Sequence, residues 1–544
     1  MKTIASINFC ILLLIIGHTA KSQLTINSGA TFNIQSEGLV VVQGDVTSNS
    51  DITGVGTLSL KGSAIQNINM NGFAVSNLVL DNVANANITG AAKFSSSVTF
   101  TNGKLILGNN NVTLAATETN SSMATGKFFE TNGTGVVKKE LTADISNYTI
   151  PIGNGSNYMP ISITNTGSTY SNASIAVQVK GTVSNNKHIR TETYLNTTWP
   201  ITKTGITGGT TNAVATYIDP ANVVGTEADL KGFYWNGSDW SLAGGNQNTT
   251  SNTIAADVTS NSGELYGMNK FVLLDSKAFL QGPYNSGTGL MNDNLRTTAT
   301  YVPGNAPTGN LIPSTDPYRT ATYSTAFAHI NNATNEVVTA TAFNDMTNAN
   351  DNIVDWVFVE LRSNITPGNT VLQTRSALLQ RDGDIVDIDG VSPIYFKNVD
   401  PANYTITVRH RNHLGMASNP AVFNQPLNVF ANVAKLNFTS TASSGNFMGT
   451  AGNNYFNNGT VNLMYAGDAN INRATRYSGA GNDRAIILTD IGNVETSSVT
   501  GYFKSDLNLN RVVRYSGAGN DRAVILSAVL LNSETASKSQ AIIP

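Results

Sequence analysis

The stretch 467–488 reads GDANINRATRYSGAGNDRAIIL and returns at 505–526 as SDLNLNRVVRYSGAGNDRAVIL. Each residue of the first copy meets its counterpart 38 positions on (468 against 506), with no gap between the two. A period of this size marks a repeated supersecondary unit. Both copies open on alternating oxygen donors: Asp468, Asn470 and Asn472, then Asp506, Asn508 and Asn510. Oxygens at the first, third and fifth places of a tight loop are what a hard cation such as Ca²⁺ requires. A metal-free reading stands beside it. Asn482-Asp483 and Asn520-Asp521 precede apolar runs of helical character, so they also suit helix caps and turns. One Asp can serve both purposes. The apolar faces of the two runs need each other, so the copies are expected to pair.

Working outward, the rest of the chain is poor in charge. Of 544 residues 12% are charged, and the net charge is −3. Nucleic-acid binding draws its affinity from many Lys/Arg–phosphate contacts, which this composition does not supply. Asn, Thr, Ser and Gly crowd around short apolar runs, the texture of many short strands joined by turns. The fold class expected is mainly β.

Residues 1–22 read as a secretion signal. Lys2 supplies the positive start, FCILLLII (9–16) the apolar segment, and Ala20-Lys21-Ser22 the small residues of a cleavage site. That segment is too short for a comfortable membrane span, so no span is expected after cleavage. Cys10 is the one cysteine and lies inside the signal. A mature chain without cysteine forms no disulfide and performs no thiol catalysis. The expected location is secreted or at the cell surface.

Residues 23–122 hold strand-like pieces such as LVVVQG, TLSLKG and NLVLDN, none able to bury its apolar face alone. Stacked rungs would solve this, so a β-solenoid-like stalk is expected, with a sandwich as the alternative. Strands lengthen over 123–277, which reads as a β-sandwich; Trp235 and Trp240 flank an Asn236-Gly237 hairpin turn. An extended connector is expected over 278–320, and an immunoglobulin- or transthyretin-like sandwich over 321–440. In that sandwich Ile353, Asp355, Val357, Val359 and Leu361 would share one face. The repeats fill 441–544.

Other clusters invite chemistry. Asp382, Asp384, Asp387 and Asp389 form an acidic run whose plain reading is solvated turns. His410 and His413 have metal-like spacing, but on a strand they would point to opposite faces. Tyr234, Trp235 and Trp240 could stack on sugar rings, although core packing is the default for such residues. No nucleophile-elbow, zincin or P-loop motif occurs, and no catalysis is expected.

Several segments are familiar as a set: FLQGPY (279–284), MNDNLR (291–296), IVDWVFVELR (353–362), ALLQRDGDIVDIDGVSP (377–393), VRHRNHLG (408–415) and YSGAGNDR in both copies. Together they resemble the C-terminal half of large secreted, hemagglutinin-like surface proteins of Gram-negative bacteria, over roughly residues 277–530. The tandem copies resemble the loop–helix calcium repeats of dockerin-type modules, which are EF-hand-like and paired. This second resemblance implies that the carbonyls of Ala474 and Val512 fall at the seventh position. Gly479 and Gly517 then occupy the twelfth, and the closing carboxylates arrive four places late, at Asp483 and Asp521. The YSGAGN segment must therefore bulge out and return the acid. Arg473 and Arg511 stand where such loops carry glycine, at a cost of about 1–2 kcal/mol for left-handed geometry. With two carboxylates each, the sites would bind Ca²⁺ weakly, at roughly 10⁻⁴–10⁻³ M. The resemblances imply a non-catalytic adhesin that takes an extracellular glycan or protein ligand, with a docking partner for the repeats. The alternative is a dockerin-bearing, scaffold-associated module or enzyme of extracellular polysaccharide degradation.

Overall fold

The computed structural model describes residues 22–188, 190–333, 335–363, 370–400, 402–419 and 434–541. The expected signal lies outside them, except for Ser22. The chain is mainly β and parts into two compact units, 1–269 and 270–544.

The first unit begins as stacked parallel rungs. One sheet carries Leu24–Ile26, Val46–Ser48, Gln66–Asn69, Ala86–Gly90, Leu105–Ile106, Phe129–Glu130 and Ile152–Asn154 in succession. A second carries Phe32–Asn33, Ile52–Thr53, Ala74–Asn82, Ala92–Asn102, Val112–Leu114 and Val137–Leu141. Register explains why short strands suffice. Ala86, Leu105, Phe129 and Ile152 lie one above another and are all buried. On the other sheet Val75, Phe94 and Leu114 do the same. Each rung covers the apolar side chains of the next, which is the solenoid solution. Outward positions form polar ladders: Asn67 N donates to Asp45 at 2.8 Å, and Asn102 Nδ2 to Asp81 at 2.7 Å. Parallel stacking continues past 122, as far as Ile152–Asn154.

Beyond that point pairing turns antiparallel without leaving the sheet. Val137–Leu141 joins Thr169–Val177, then Trp199–Thr207, Ser262–Asn269 and Leu230–Trp235. A separate five-stranded sheet runs Ile145–Ile150, Ile161–Thr166, Thr210–Thr216, Thr253–Asp257 and Asn246–Asn248. The expected hairpin is present, with Trp235 opposite Trp240.

The second unit is built on a sheet in the order Ile394–Lys397, Phe271–Lys277, Asp384–Val386, Val371–Gln380, Ile353–Arg362, Thr405–Arg409 and Met416–Ala417. Its central strand, Ile353–Arg362, is buried at every position. Both faces of this strand are therefore covered. Part of the cover is the 278–320 segment, which sends Phe279, Leu280, Leu295, Ile312 and Tyr318 into the core. Among the described residues no helix is long and apolar enough to cross a membrane.

Candidate metal centre

The two repeats interlock by an approximate two-fold exchange. Ala474–Arg476 of the first copy pairs antiparallel with Ser537–Ser539, which follows the second. Val512–Arg514 of the second pairs with Ser498–Thr500, which follows the first. Ser478 Oγ donates to the Glu534 carbonyl and Ser516 Oγ to the Glu495 carbonyl, both at 2.6 Å. Glu495 and Glu534 are 39 apart rather than 38, so the second copy has gained one residue by that point. The α-helix Arg484–Asp490 has as its counterpart the short helix Asp521–Ala523 continued by the π-helix Val524–Val529. A widened turn of this kind absorbs a single inserted residue. Ile487, Ile491, Ile525, Val529, Tyr477 and Tyr515 share one apolar cluster, the pairing that the sequence required.

The aspartates of each loop accept backbone N–H groups of that loop. Asp468 Oδ1 accepts from Asn472 N at 2.9 Å and Oδ2 from Arg473 N at 3.1 Å. Asp483 turns back to the same loop, accepting from Asn470 N at 3.2 Å and Arg476 N at 2.8 Å. The second copy repeats this pattern. Asp506 accepts from Asn510 N and Arg511 N, and Asp521 from Leu507 N and Arg514 N, all at 2.8–3.0 Å. Asn470 and Asn472 donate to the Gly481 carbonyl, and Asn508 and Asn510 to that of Gly519, which folds the bulge down onto the loop. The strand residues Ala474 and Val512 follow directly.

Capping and turning back fall to different residues. Asn482 Oδ1 accepts from Ala485 N and Asn520 Oδ1 from Ala523 N, so the asparagines cap the helices. Asp483 and Asp521 are left to face the loop. Backbone geometry bears the cost foreseen at the glycine position: φ is 68° at Arg473 and 83° at Arg511. Ile471 and Leu509 are left-handed as well, at 61° and 54°.

Four carboxyls are thus buried, and none forms an ion pair with Lys or Arg among the described residues. Burial pushes Asp468 and Asp506 up to about 6. Burial, with the negative charge of the neighbouring Asp468 or Asp506 added, pushes Asp483 and Asp521 up to about 8. Two buried carboxylates without a counter-cation repel each other. Each carboxyl accepts two or three backbone N–H groups, and carboxylate oxygens are the donor type that a hard divalent ion takes.

One strand end ties both loops to the sheet. The Asn412 carbonyl accepts from Gly467 N at 3.1 Å and Asp468 N at 3.2 Å, while its side chain donates to the Asp506 carbonyl at 2.7 Å. Arg411, fully buried, donates from Nε to Asp355 at 2.9 Å, donates to the Phe503 carbonyl, and stacks on Tyr502. Tyr502 OH reaches the other Asp355 oxygen at 2.6 Å. Burial alone would raise Asp355; Arg411, His410 and Tyr502 outweigh it and hold it at about 2. Gln281 donates to the Ala528 carbonyl and accepts from Ala466 N. A Cβ on Gly282 would lie 1.9 Å from the Leu507 carbonyl oxygen, so only glycine fits. These residues belong to the VRHRNHLG and FLQGPY segments. Their joining role is not legible in sequence, because both segments look like ordinary strand ends.

The other candidate clusters are engaged structurally. The strand Thr405–Arg409 ends before His410, and the chain bends so that the two imidazoles meet, Nδ1 to Nδ1 at 3.2 Å. The opposite-face expectation is corrected by that bend. His410 Nε2 faces Asp355 at 3.0 Å and His413 Nε2 accepts from Gly282 N at 3.1 Å, so no nitrogen is left for a shared metal. Burial lowers the pKa of both. Asp382 and Asp384 pair with Lys277, Asp387 with Arg375, and Asp389 caps its own turn. Tyr234 and Trp240 are buried, and the Trp240 ring packs on Trp235 and Tyr266. Those two aromatics belong to the core rather than to a sugar platform.

No family model matches the chain, and comparisons with curated proteins and with solved structures find no match either.

Proposed function

We propose that this is a secreted or surface-displayed binding protein of the adhesin kind, without catalysis. In this reading each of its duplicated loops takes one Ca²⁺ and clamps the C-terminal repeats onto the sheet of the second unit. The observation that carries it is the buried pair of carboxylates in each copy, Asp468 with Asp483 and Asp506 with Asp521, held by the same hydrogen bonds twice over. A bound cation would remove the repulsion within each pair. Asn470, Asn472, Asn508 and Asn510 would add side-chain oxygens, and Ala474 and Val512 their carbonyls.

The repeats are tied down through Asn412, Gln281 and Arg511, whose guanidinium donates to the carbonyls of Asn294 and Gly309. This embedding favours an internal clamp over a freely presented docking module. The ligand proposed is an extracellular glycan or protein. Calcium titration of the full chain by calorimetry tests the clamp: two ions should bind, one fewer in Asp483→Asn and one fewer in Asp521→Asn. Binding of the same chain to glycan arrays and host-matrix proteins, with and without chelator, tests the adhesin reading. Calcium-dependent capture of a single scaffold protein, without glycan or matrix binding, would favour the docking alternative.

A further inference from the structure

Away from the repeats, Asp316, His329 and Glu336 place one ligand atom each within 4.8 Å of one another on the second unit. The side chains of Asp316 and Glu336 are almost wholly buried and that of His329 is 8% exposed. His329 Nε2 lies 2.9 Å from Asp316 Oδ2. At that distance a hydrogen bond would be expected, yet neither atom has a hydrogen-bond partner. The contact lacks hydrogen-bond geometry, and the same Asp316 oxygen has Arg319 Nε at 3.3 Å.

The far side of the imidazole bears on which nitrogen carries the proton. Thr374 Oγ1 accepts from Ile330 N at 3.0 Å, and its own hydroxyl reaches the Ile330 carbonyl at 3.4 Å. It is left as an acceptor toward His329 Nδ1, 3.2 Å away. Asn332, at 3.5 Å from that nitrogen, donates to Glu336. A proton on Nδ1, donated to Thr374 Oγ1, leaves the Nε2 lone pair facing the Asp316 carboxylate, and this is the tautomer that metal binding requires. Such an outer hydrogen bond is how ligating histidines are oriented. The Phe358 ring, edge-on at 5.0 Å, holds the imidazole plane.

We propose that Asp316 Oδ2, His329 Nε2 and a Glu336 oxygen bind a divalent transition ion of the Zn²⁺ class. One imidazole nitrogen with two carboxylate oxygens suits Zn²⁺ better than Ca²⁺, which takes oxygen ligands. Zn–N and Zn–O bonds of about 2.0–2.2 Å would require these side chains to close around the ion. Arg319 and Arg375 stand 3.3–3.4 Å from these carboxylates. They either support the ligands from outside or supply the positive charge themselves, and the experiment separates the two. The ion would cross-link Asp316, His329 and Glu336 within one irregular segment, which Thr374 of the strand Val371–Gln380 contacts from outside. This site is independent of the calcium loops.

The test is equilibrium dialysis of the full chain against Zn²⁺ with Ca²⁺ in excess, followed by metal analysis, for wild type, His329→Ala and Asp316→Asn. The wild type should hold one more Zn²⁺ per chain than either variant, and Ca²⁺ should not displace it. Co²⁺ in place of Zn²⁺ should give intense visible bands of low-coordinate N/O ligation in the wild type. That spectrum decides even if a variant fails to fold, which circular dichroism will show. Equal zinc content in wild type and folded variants, or a wild type without bound zinc or cobalt bands, overturns the proposal and leaves an Arg-compensated ion-pair network.

Discussion

Asn412 donates from its carboxamide to the main-chain carbonyl of Asp506, at 2.7 Å. Its own carbonyl meanwhile accepts from Asp468 N at 3.2 Å. One residue therefore touches the opening aspartate of both loops, the first through main chain and the second through side chain. Replacing it with alanine should affect only one of them. Asn412→Ala leaves the Asp506 carbonyl without its donor, a loss of about 1–3 kcal/mol. Calcium calorimetry should show the second loop weakened and the first unchanged. Equal weakening of both would mean that Asn412 acts through general loosening.

The buried carboxyls predict a pH dependence of definite sign. Burial raises all four, to about 6 and about 8. Between the unfolded carboxylate range and pH 8 the folded chain holds more protons than the unfolded one. Its stability therefore falls as pH rises through that window. In chelator, melting temperature should drop from pH 5 to pH 8. Ca²⁺ bound as proposed would displace those protons, so its stabilising effect should be larger at pH 8 than at pH 5. A flat melting profile in chelator would contradict the burial of these groups.

Arg411 is the counter-charge of a fully buried Asp355. Removing one partner of a buried pair leaves the other uncompensated, at about 3–5 kcal/mol. Arg411→Ala should lose that much in urea unfolding. A double variant with Asp355→Asn should recover part of it. No recovery would assign the loss to the Tyr502 stacking instead.

Left-handed backbone at Arg473 and Arg511 allows a paired comparison. Arg473→Gly relieves the strain, and after the entropic cost of glycine the gain is about 1 kcal/mol or less. The same change at Arg511 also removes the guanidinium that reaches the Asn294 and Gly309 carbonyls, and should lose stability. Thermal melts of the two variants should shift in opposite directions.

Close approach at Gly282 predicts a local defect. A methyl group there meets the Leu507 carbonyl oxygen, so Gly282→Ala should cost about 1–3 kcal/mol, as overpacking does. Hydrogen exchange should rise in 503–514 while the solenoid rungs stay protected. Unchanged exchange would mean that the repeats are held elsewhere.

Sequence legibility followed the range of the forces involved. Strand content, the Trp235/Trp240 hairpin and the duplicated loop all rest on local turn chemistry and on repetition within a few tens of residues. Asn482 and Asn520 could be read as caps for the same reason. The Asp316–His329–Glu336 cluster could not be read, because these residues carry no motif spacing and Thr374, which contacts the imidazole, comes from a distant strand. The His410–His413 meeting was misjudged because the period-two rule applies only while the strand continues, and this strand stops at Arg409. Burial of both faces of Ile353–Arg362 depends on covering segments from elsewhere in the chain, which local alternation does not record.

By itself the sequence determined that the chain would be mainly β, with few charges, and that its tail would hold two copies of one oxygen-bearing loop whose apolar runs need each other. Those follow from composition, turn residues and a period that any reader can count. Tertiary structure alone decided that Asp483 and Asp521 return to their loops, and that Asn412 and Arg411 fasten both copies to the sheet. It also decided that Tyr234 and Trp240 belong to the core. The reason is that burial and long-range hydrogen bonding depend on which distant segments close over a residue, and local patterning carries no record of that.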